Sequence, residues 1–398
     1  MNTLSPDSII DCSHLSIQPE GDEFTVGDPV IGEFIRVPEV AIDVIRMLDG
    51  QATVEEVRRT ISQKYEEDVD VLDFAQVLQD CHLILSIDGH LVHPEMKRNP
   101  NPILVKLGNV FFSPVAVFLY FLAFASIIVF LMARPALFPG FKDLFIYEAV
   151  GISGLTVLLV TWIHTLIHEM AHLLAASKEN ILARIRLNLR MVWLVAETDM
   201  TGLWSLPKSK RYIPFLAGMM WDCIMILGCF IIQMTAANQM LIAYSRMAAF
   251  IIILSFLWQF IIFLRTDIYF VVSAWKNTSA LHDSSLMYLK KIFLKKESAE
   301  WDLLPQHEKK NAAWFGLLYI TGGAVALGLF LHFQLQPALY ALYLVYKNLA
   351  NQGIESFYFW DSILVLAVLM LQIITWMVGF RTYLNERRER RQQAIRAN

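Results

Sequence analysis

The chain is poor in charge and has no paired cysteines. Only 18% of its 398 residues are Asp, Glu, Lys or Arg, against about 25% in an average soluble domain. The four cysteines, at positions 12, 81, 223 and 229, show no CxxC or other paired spacing. The sequence therefore indicates neither a disulfide framework nor a zinc–thiolate site. The first hundred residues contain no apolar segment of the signal-peptide type, so we expect no cleaved signal.

Hydrophobic residues are in excess, and they lie mainly after residue 100. They make up 56% of the chain, and the mean hydropathy is +0.46. Six apolar runs are long enough to cross about 30 Å of hydrocarbon; they lie near 112–133, 149–176, 213–235, 241–273, 313–346 and 361–380. The sequence predicts an α-helical polytopic membrane protein with about six transmembrane helices in the lipid bilayer. Residues 99–398 form the predicted membrane domain.

The placement of lysine and arginine predicts the orientation. The loops after the second and fourth runs are basic, and so is the segment "RTYLNERRERRQQAIR" at 381–396. The opposite loops carry Lys142 and Lys347 as their clearest positive charges. By the positive-inside rule both termini and both basic loops face the cytoplasm, in a multi-pass protein of the cell membrane. The basic C-terminal segment is interpreted as a topology anchor on anionic lipid, in preference to a nucleic-acid site.

Residues 1–98 have the pattern of a small soluble α+β domain. Thr53 and Glu56 have the spacing of a capping box ahead of an amphipathic helix. Asp88-Gly89 stands between two short apolar runs, which is a strong hairpin signal. "FTVGDPVIGEFIRV" predicts a further strand pair upstream. Strands, three helices and a terminal hairpin together predict a winged helix-turn-helix domain.

Charge argues against nucleic acid as the partner of this domain. Its third predicted helix carries Asp70, Asp73 and Asp80 but no Lys or Arg, so phosphates would be repelled. The stretches "VAIDVIRMLDGQATVEEVRRTI" and "LILSIDG", within roughly residues 20–95, resemble the PqqD-like domains that recognise leader peptides of ribosomally made, modified peptides. The resemblance implies that a peptide adds as a strand to the sheet edge beside a helix. The alternative is a winged-helix domain that only docks onto the membrane part.

The second apolar run carries ionisable groups, which are costly in a membrane and rarely lack a function. His168-Glu169-Met170-Ala171-His172 is an HExxH motif. Two histidines four residues apart on a helix share one face, so both imidazoles can reach one Zn²⁺ ion. Glu169 is then placed to act as general base on a water molecule. The alternatives are a polar cluster that braces helix packing and a proton path.

A catalytic zinc takes a third protein ligand and keeps one open position. The HExxH triad precedes Ser177, at the predicted cytoplasmic end of its run, by five to nine residues, or roughly 8–13 Å along a helix. Asp267 precedes Lys276 by nine residues in the fourth run, or roughly 13 Å. The matching depth predicts Asp267 as the third ligand.

Three alternatives accompany this assignment. Asp267 could form a structural pair with Arg265, although residues two apart do not face each other on a helix. Asp222 in the third run is the fallback ligand, or else a carboxylate that hydrogen-bonds between helices. His164 lies one turn deeper than His168, too far along the axis for three histidines to converge on one ion. We interpret it as an outer partner of the site, a substrate-lining residue or a hydrogen-bonded residue of the bundle.

Over roughly residues 145–290, "IHEMAHLLAA" and "RTDIYFVV" resemble the two motifs of the site-2 protease family of intramembrane zinc metallopeptidases. The resemblance implies zinc-ligand roles for His168, His172 and Asp267 and a catalytic role for Glu169. "RYIPFLAGMMWD" resembles the Gly-containing segment that leads into that family's third core helix. The chain departs from the pattern at Ile268, where Gly is usual, and by lacking an Asn-Pro element before the aspartate. With its PqqD-like front, it looks like bacterial peptide zinc metalloproteases encoded near modified-peptide clusters.

Three functions compete. The first is a zinc-dependent intramembrane endopeptidase that cleaves a membrane-associated or leader-bearing peptide during modified-peptide maturation or export, with a peptide-modifying enzyme or transporter as partner. The second is a peptide-export or immunity component that retains a metal site without proteolysis. The third is a membrane-tethered regulator that binds DNA or protein. An intact Glu169 favours the first, because a metal-binding scaffold needs no base.

The loop after the HExxH run contains a possible docking strand for the peptide. "RIRLNLRMVWLV" alternates polar and apolar residues, as a half-buried strand does. The alternative is an amphipathic segment at the membrane interface.

Overall fold

The computed structural model is mostly helical, with a small α/β domain at the N-terminus. It describes residues 4–21, 23–92, 100–190, 193–276, 278, 281–295, 301, 304 and 306–396. The N-terminal elements are β1 (Ile9–Asp11), β2 (Ser16–Glu20), β3 (Glu23–Asp28), β4 (Glu33–Val37), α1 (Glu39–Met47), β5 (Asp49–Thr53), α2 (Val54–Tyr65), α3 (Val71–Asp80), β6 (Ser86–Ile87) and β7 (His90–Leu91).

The domain contains two antiparallel sheets around one apolar core. One sheet has the strand order β2-β3-β4 and the other β5-β1-β6-β7. The predicted capping box is confirmed, because Thr53 accepts from the Glu56 backbone and Glu56 accepts from the Thr53 backbone. The predicted hairpin is confirmed too, since Asp88 and Gly89 both have positive φ between β6 and β7. Helices α1 to α3 bury their apolar stripes against these sheets.

All four cysteines are free thiols. Burial raises the pKa of Cys12 to about 12, and the negative charge of Asp11 adds to the shift. Burial also raises the pKa of Cys81. Both groups of the N-terminal domain are therefore protonated at neutral pH, a form that neither attacks nor binds metal well.

The rest of the chain is built from helices and one hairpin. Its elements are α4 (Pro102–Phe111), α5 (Pro114–Ala133), α6 (Val150–Lys178), β8 (Arg184–Arg190), β9 (Trp193–Asp199), α7 (Lys208–Thr235), α8 (Gln239–Trp258), α9 (Asp267–Lys276), α10 (Leu281–Leu294), α11 (Gln306–Leu329), α12 (Gln336–Asn351) and α13 (Phe357–Arg396). A π-helical turn, Phe330–Leu335, joins α11 to α12. Helix α7 lies at the centre, packed against α5, α6, α8 and α9.

Five helices within the described residues are long and apolar enough to cross a membrane, which indicates a membrane protein. They are Pro114–Ala133, Val150–Lys178, Lys208–Thr235, Gln239–Trp258 and the continuous Glu308–Asn351. The sixth predicted run falls within α13, whose segment Phe357–Leu371 is a shorter apolar helix. The N-terminal domain and this set of helices agree with the coarse fold predicted from the sequence.

The long predicted fourth span, 241–273, is broken into two helices, an outcome that its length left open. Helix α8 ends at Trp258, and α9 begins at Asp267. Between them Arg265 adopts a left-handed conformation with φ of 56°, which an α-helix does not accommodate. The segment "QFIIFL" is as apolar as a span, so hydropathy could not reveal the break. The break places Asp267 at the start of a helix instead of the middle of one.

The N-terminal domain docks onto the segment that joins β9 to α7. Glu20, at the end of β2, forms ion pairs with Arg211 at 2.5 Å and Lys208 at 3.6 Å. The side chains of Glu20 and Arg211 are fully buried. Gly202 lies so close to Pro29 that an added Cβ would stand 3.1 Å from the Pro29 carbonyl oxygen. This buried pair and the close backbone contact fix the domain beside the hairpin and the first turn of α7.

We expect Arg211→Gln to destabilise the protein by about 3–5 kcal/mol, because it leaves the buried Glu20 carboxylate short of a partner. Glu20→Gln should cost a similar amount, and the double variant should cost clearly less than the sum, since it leaves no unpaired charge. Pulse proteolysis of the full chain in detergent micelles across a urea series measures these differences.

Lys210→Gln is the matched control. Lys210, whose side chain is 57% exposed, forms an ion pair with Glu179 at 3.3 Å, and a pair with an exposed partner should contribute at most about 1 kcal/mol. Equal stability of Arg211→Gln and Lys210→Gln would contradict the assignment of the docking contact.

Candidate metal centre

Helix α6 carries three histidines on one side, the two of the HExxH motif and His164. His164, His168 and His172 are spaced four residues apart, and each is no more than 5% exposed. The spacing of about one turn places their rings one above another along the helix. The ring centroids of His168 and His172 are 4.9 Å apart.

Three donor atoms converge in a nearly equilateral triangle. His168 Nε2 lies 3.1 Å from Asp267 Oδ2, and His172 Nε2 lies 3.2 Å from the same oxygen. The two Nε2 atoms are 3.2 Å apart. A tetrahedral zinc with bonds of about 2.0–2.1 Å separates its ligand atoms by about 3.3 Å. The structure thus brings His168, His172 and Asp267 together as predicted, at spacings that fit one face of a zinc tetrahedron.

The start of α9 fixes Asp267 against α6. Its backbone N–H donates to Gln259 Oε1 at 3.2 Å, and the hydroxyl of Thr266 donates to the Gln259 carbonyl at 2.6 Å. Arg265 does not form the alternative pair with Asp267; its guanidinium binds Asp283 at 3.0 Å. The carboxylate of Asp267 therefore faces the two imidazoles.

The other nitrogen of each histidine in the triangle is bound by α7. His168 Nδ1 lies 3.0 Å from Asp222 Oδ2, and His172 Nδ1 donates to the carbonyl oxygen of Pro214 at 2.8 Å. His164 Nε2 lies 2.9 Å from the second oxygen of Asp222. Asp222 thus stands behind His168, on the side away from the triangle. It does not occupy the place of a third ligand, and His164 lies outside the triangle.

Glu169 is positioned by the hairpin. The hydroxyl of Thr198, on β9, lies 2.7 Å from Glu169 Oε2 and 3.0 Å from the backbone carbonyl of Glu169. Thr198 pairs with Ile185 of β8 in the antiparallel register. The sequence analysis did not single out Thr198. Thr198 lies three residues beyond the alternating segment, which ends at Val195, so no local pattern pointed to its contact with Glu169.

The segment 184–195, predicted as one strand, contributes extended residues to two strands of the structure. Residues 184–190 and 193–199 form the two-stranded sheet β8–β9. Among the described residues neither strand has a second neighbour in the sheet, and a strand edge of this kind can accept a further strand. Leu187 of β8 is 64% exposed. A free strand edge and an exposed apolar side chain therefore lie next to the segment that contacts Glu169.

Gly218 of α7 is the glycine of the segment "RYIPFLAGMMWD", to which the sequence analysis assigned no contact. A Cβ at this position would lie 2.3 Å from His168 Nε2, closer than any side-chain carbon can approach. Gly218 precedes Asp222 by one helical turn, so the same face of α7 provides both the space for the imidazole and its hydrogen-bond partner. A glycine one turn before a buried carboxylate was the available signal.

Comparison with known proteins identifies one part of the chain. The family model described as Coenzyme PQQ synthesis protein D (PqqD) matches residues 13–84. This supports the PqqD-like domain expected over roughly residues 20–95, a domain type linked to peptide-modification systems. No curated protein and no solved structure matches the chain. The matched residues end before α4, so they contain none of the residues around the triangle.

Proposed function

We propose that this protein is a zinc-dependent membrane endopeptidase that cleaves a leader-bearing or membrane-associated peptide. The observation that carries the proposal is the triangle of His168, His172 and Asp267, with Glu169 next to it in the HExxH motif. The donor set of two imidazole nitrogens and one carboxylate oxygen is typical of catalytic zinc sites, which keep a fourth position open. The resemblance to site-2 proteases supports the same assignment.

The residues divide the chemistry among them. His168, His172 and Asp267 would hold the metal, and a zinc ion there would polarise a peptide carbonyl and lower the pKa of water at the site. Thr198 engages Oε2 of Glu169, so we assign Oε1 to the attacking water. Glu169 then accepts a proton from that water and returns it to the leaving amine. Thr198 acts by holding the carboxylate in place for both transfers.

The hairpin offers a way to present the peptide. A helical substrate hides its backbone amides in its own hydrogen bonds, so it must unwind before cleavage. Pairing with the outer edge of β8 or β9 would hold the unwound segment in an extended form. Because Thr198 of β9 contacts Glu169, a strand added here would lie beside the catalytic carboxylate. The depth of the triad and the basic loops favour entry from the cytoplasmic side.

The PqqD-like domain supplies recognition at a distance from the site. The resemblance implies that the leader adds to a sheet edge beside a helix. We assign this role to β4, which directly precedes α1 and has β3 as its only neighbour in the sheet among the described residues. The domain is fixed to the start of α7 by Glu20 and Arg211. A bound leader would therefore raise the local concentration of the attached core peptide at the metal centre.

A cleavage assay with the full-length protein in liposomes tests this proposal. We expect a leader-bearing peptide to be cut with a KM at least about tenfold lower than that of the same peptide without its leader, because the second contact is intramolecular. The kcat values should agree within about threefold, since the leader does not touch the reacting atoms. A scrambled leader of equal length and charge is the control.

Metal removal provides the second arm of the same assay. Treatment with 1,10-phenanthroline should abolish cleavage, and added zinc should restore it. Cleavage that survives chelation would contradict the metallopeptidase proposal. Uptake of intact peptide into the liposomes without any cleavage would favour the peptide-export alternative.

A further inference from the structure

We infer that Asp222 is a positioning residue for the metal ligand His168, that His164 holds Asp222 in place, and that the centre takes one metal ion. The inference rests on the proposed metal site but not on proteolysis. It assigns roles to two buried ionisable residues that the hydrolytic chemistry does not use.

The Nδ1 partners of His168 and His172 fix the tautomers of these two proposed metal ligands. A neutral imidazole can bind a metal through Nε2 only if Nδ1 carries the proton. His172 meets this condition because its Nδ1 donates to the Pro214 carbonyl. His168 meets it through Asp222, whose carboxylate can only accept. A carboxylate behind a metal-bound histidine also fixes the ring orientation and raises the basicity of the ligand.

His164 is the second hydrogen-bond partner of the buried Asp222 carboxylate. The side chain of Asp222 is fully buried among helices, and a buried carboxylate is costly without hydrogen-bond donors. Oδ2 of Asp222 accepts a hydrogen bond from His168 Nδ1 at 3.0 Å, and Oδ1 accepts one from His164 Nε2 at 2.9 Å. With both oxygens engaged, the carboxylate cannot rotate away from His168. His164 therefore acts on the metal ligand through Asp222.

A second metal ion between His164, His168 and Asp222 is incompatible with an ion in the triangle. Donor atoms of His164, His168 and Asp222 also lie within 4.8 Å of one another. The nitrogen that His168 offers to this group is Nδ1, while its Nε2 belongs to the triangle. Binding two ions would require His168 to lose both ring protons, whereas a neutral imidazole has one free lone pair. The hydrogen-bond distances to Asp222 fit two N–H donors, so the second group is a support for the first.

Zinc affinity tests the inference without reference to cleavage. Competition with a chelating dye should show that Asp222→Asn binds zinc about 10–100-fold more weakly than the parent protein. The control is Cys223→Ala, which should leave the affinity within about threefold, because the Cys223 side chain belongs to an apolar cluster with residues of α5 and α8. The visible spectrum of the Co²⁺-loaded protein should change in Asp222→Asn but not in Cys223→Ala.

Variants of His164 separate positioning from simple packing. His164→Gln keeps an N–H donor for Asp222 and should retain most of the zinc affinity, whereas His164→Leu should lose much of it. Asp222→Asn combined with His164→Leu should be no weaker than Asp222→Asn alone, because His164 acts through Asp222. If Asp222→Asn does not fold, the comparison of His164→Gln with His164→Leu still tests whether His164 positions the metal ligand.

Two results would overturn the inference. One is an affinity of Asp222→Asn equal to that of the parent. The other is a parent protein that binds two zinc equivalents, of which Asp222→Asn loses one. If the parent binds one zinc, the variants behave as expected and no peptide is cleaved, then the proposed peptidase function fails while this inference stands.

Discussion

Glu169→Gln is expected to lower kcat/KM for peptide cleavage by at least about 10³-fold, within the range that general acid–base catalysis contributes. Glutamine has nearly the shape of glutamate but cannot accept the proton of the attacking water. Its side-chain oxygen can still accept the Thr198 hydroxyl, so the hairpin contact with Glu169 need not change. Because the ligand atoms belong to other residues, zinc content should remain at one ion per chain.

Glu179→Gln is the matched control for this variant. Glu179 caps the same helix at its C-terminal end, ten residues beyond Glu169, and pairs with the exposed Lys210. The Glu179→Gln variant should cleave the peptide at the parental rate. Parental cleavage by Glu169→Gln would remove the general base from the account and favour a metal-binding membrane component without proteolysis.

Asp267→Ala is expected to abolish stoichiometric zinc binding. The carboxylate contacts both imidazoles of the triangle, so its removal takes away one of the three proposed protein ligands. The loss of affinity should exceed the roughly 10–100-fold that removal of an outer partner costs. His168→Ala should have the same effect, because the Nε2 atom of His168 is another corner of the triangle.

Emission spectrometry of the purified proteins, combined with a chelator competition, measures this loss. Asp283→Ala serves as the control, since Asp283 pairs with the exposed Arg265 on the outside of the same region. It should keep one zinc per chain. An Asp267→Ala protein with unchanged zinc content would reassign the third ligand to another residue.

The sequence predicted those parts of the molecule that depend on local spacing. The HExxH spacing placed His168 and His172 on one face of a helix, and the capping box at Thr53 and the turn at Asp88-Gly89 appeared where expected. Each of these features is determined by residues within one or two turns of chain. The contact of Asp267 with the two imidazoles links residues about a hundred positions apart, and the matched depth of two apolar runs predicted that they lie close together.

Features that depend on tertiary contacts could not be predicted. An imidazole has two nitrogens, and the sequence does not tell which one faces Asp222 and which faces Asp267. The site of the break between α8 and α9 could not be read from hydropathy, because the residues from Phe260 to Leu264 are all apolar. The ion pair between Glu20 and Arg211 joins two parts of the chain that are far apart in sequence, and their composition does not indicate that they are in contact. Thr198 reaches Glu169 only because β9 folds back against α6.

The central claim is that His168, His172 and Asp267 hold one divalent cation next to Glu169. X-ray absorption at the zinc edge of the purified, zinc-loaded protein tests it most directly. We predict one zinc per chain with two imidazole nitrogens and at least one oxygen at about 2.0–2.1 Å, and no sulfur. Absence of tightly bound zinc, or a spectrum with a single histidine or with sulfur ligands, would contradict the account.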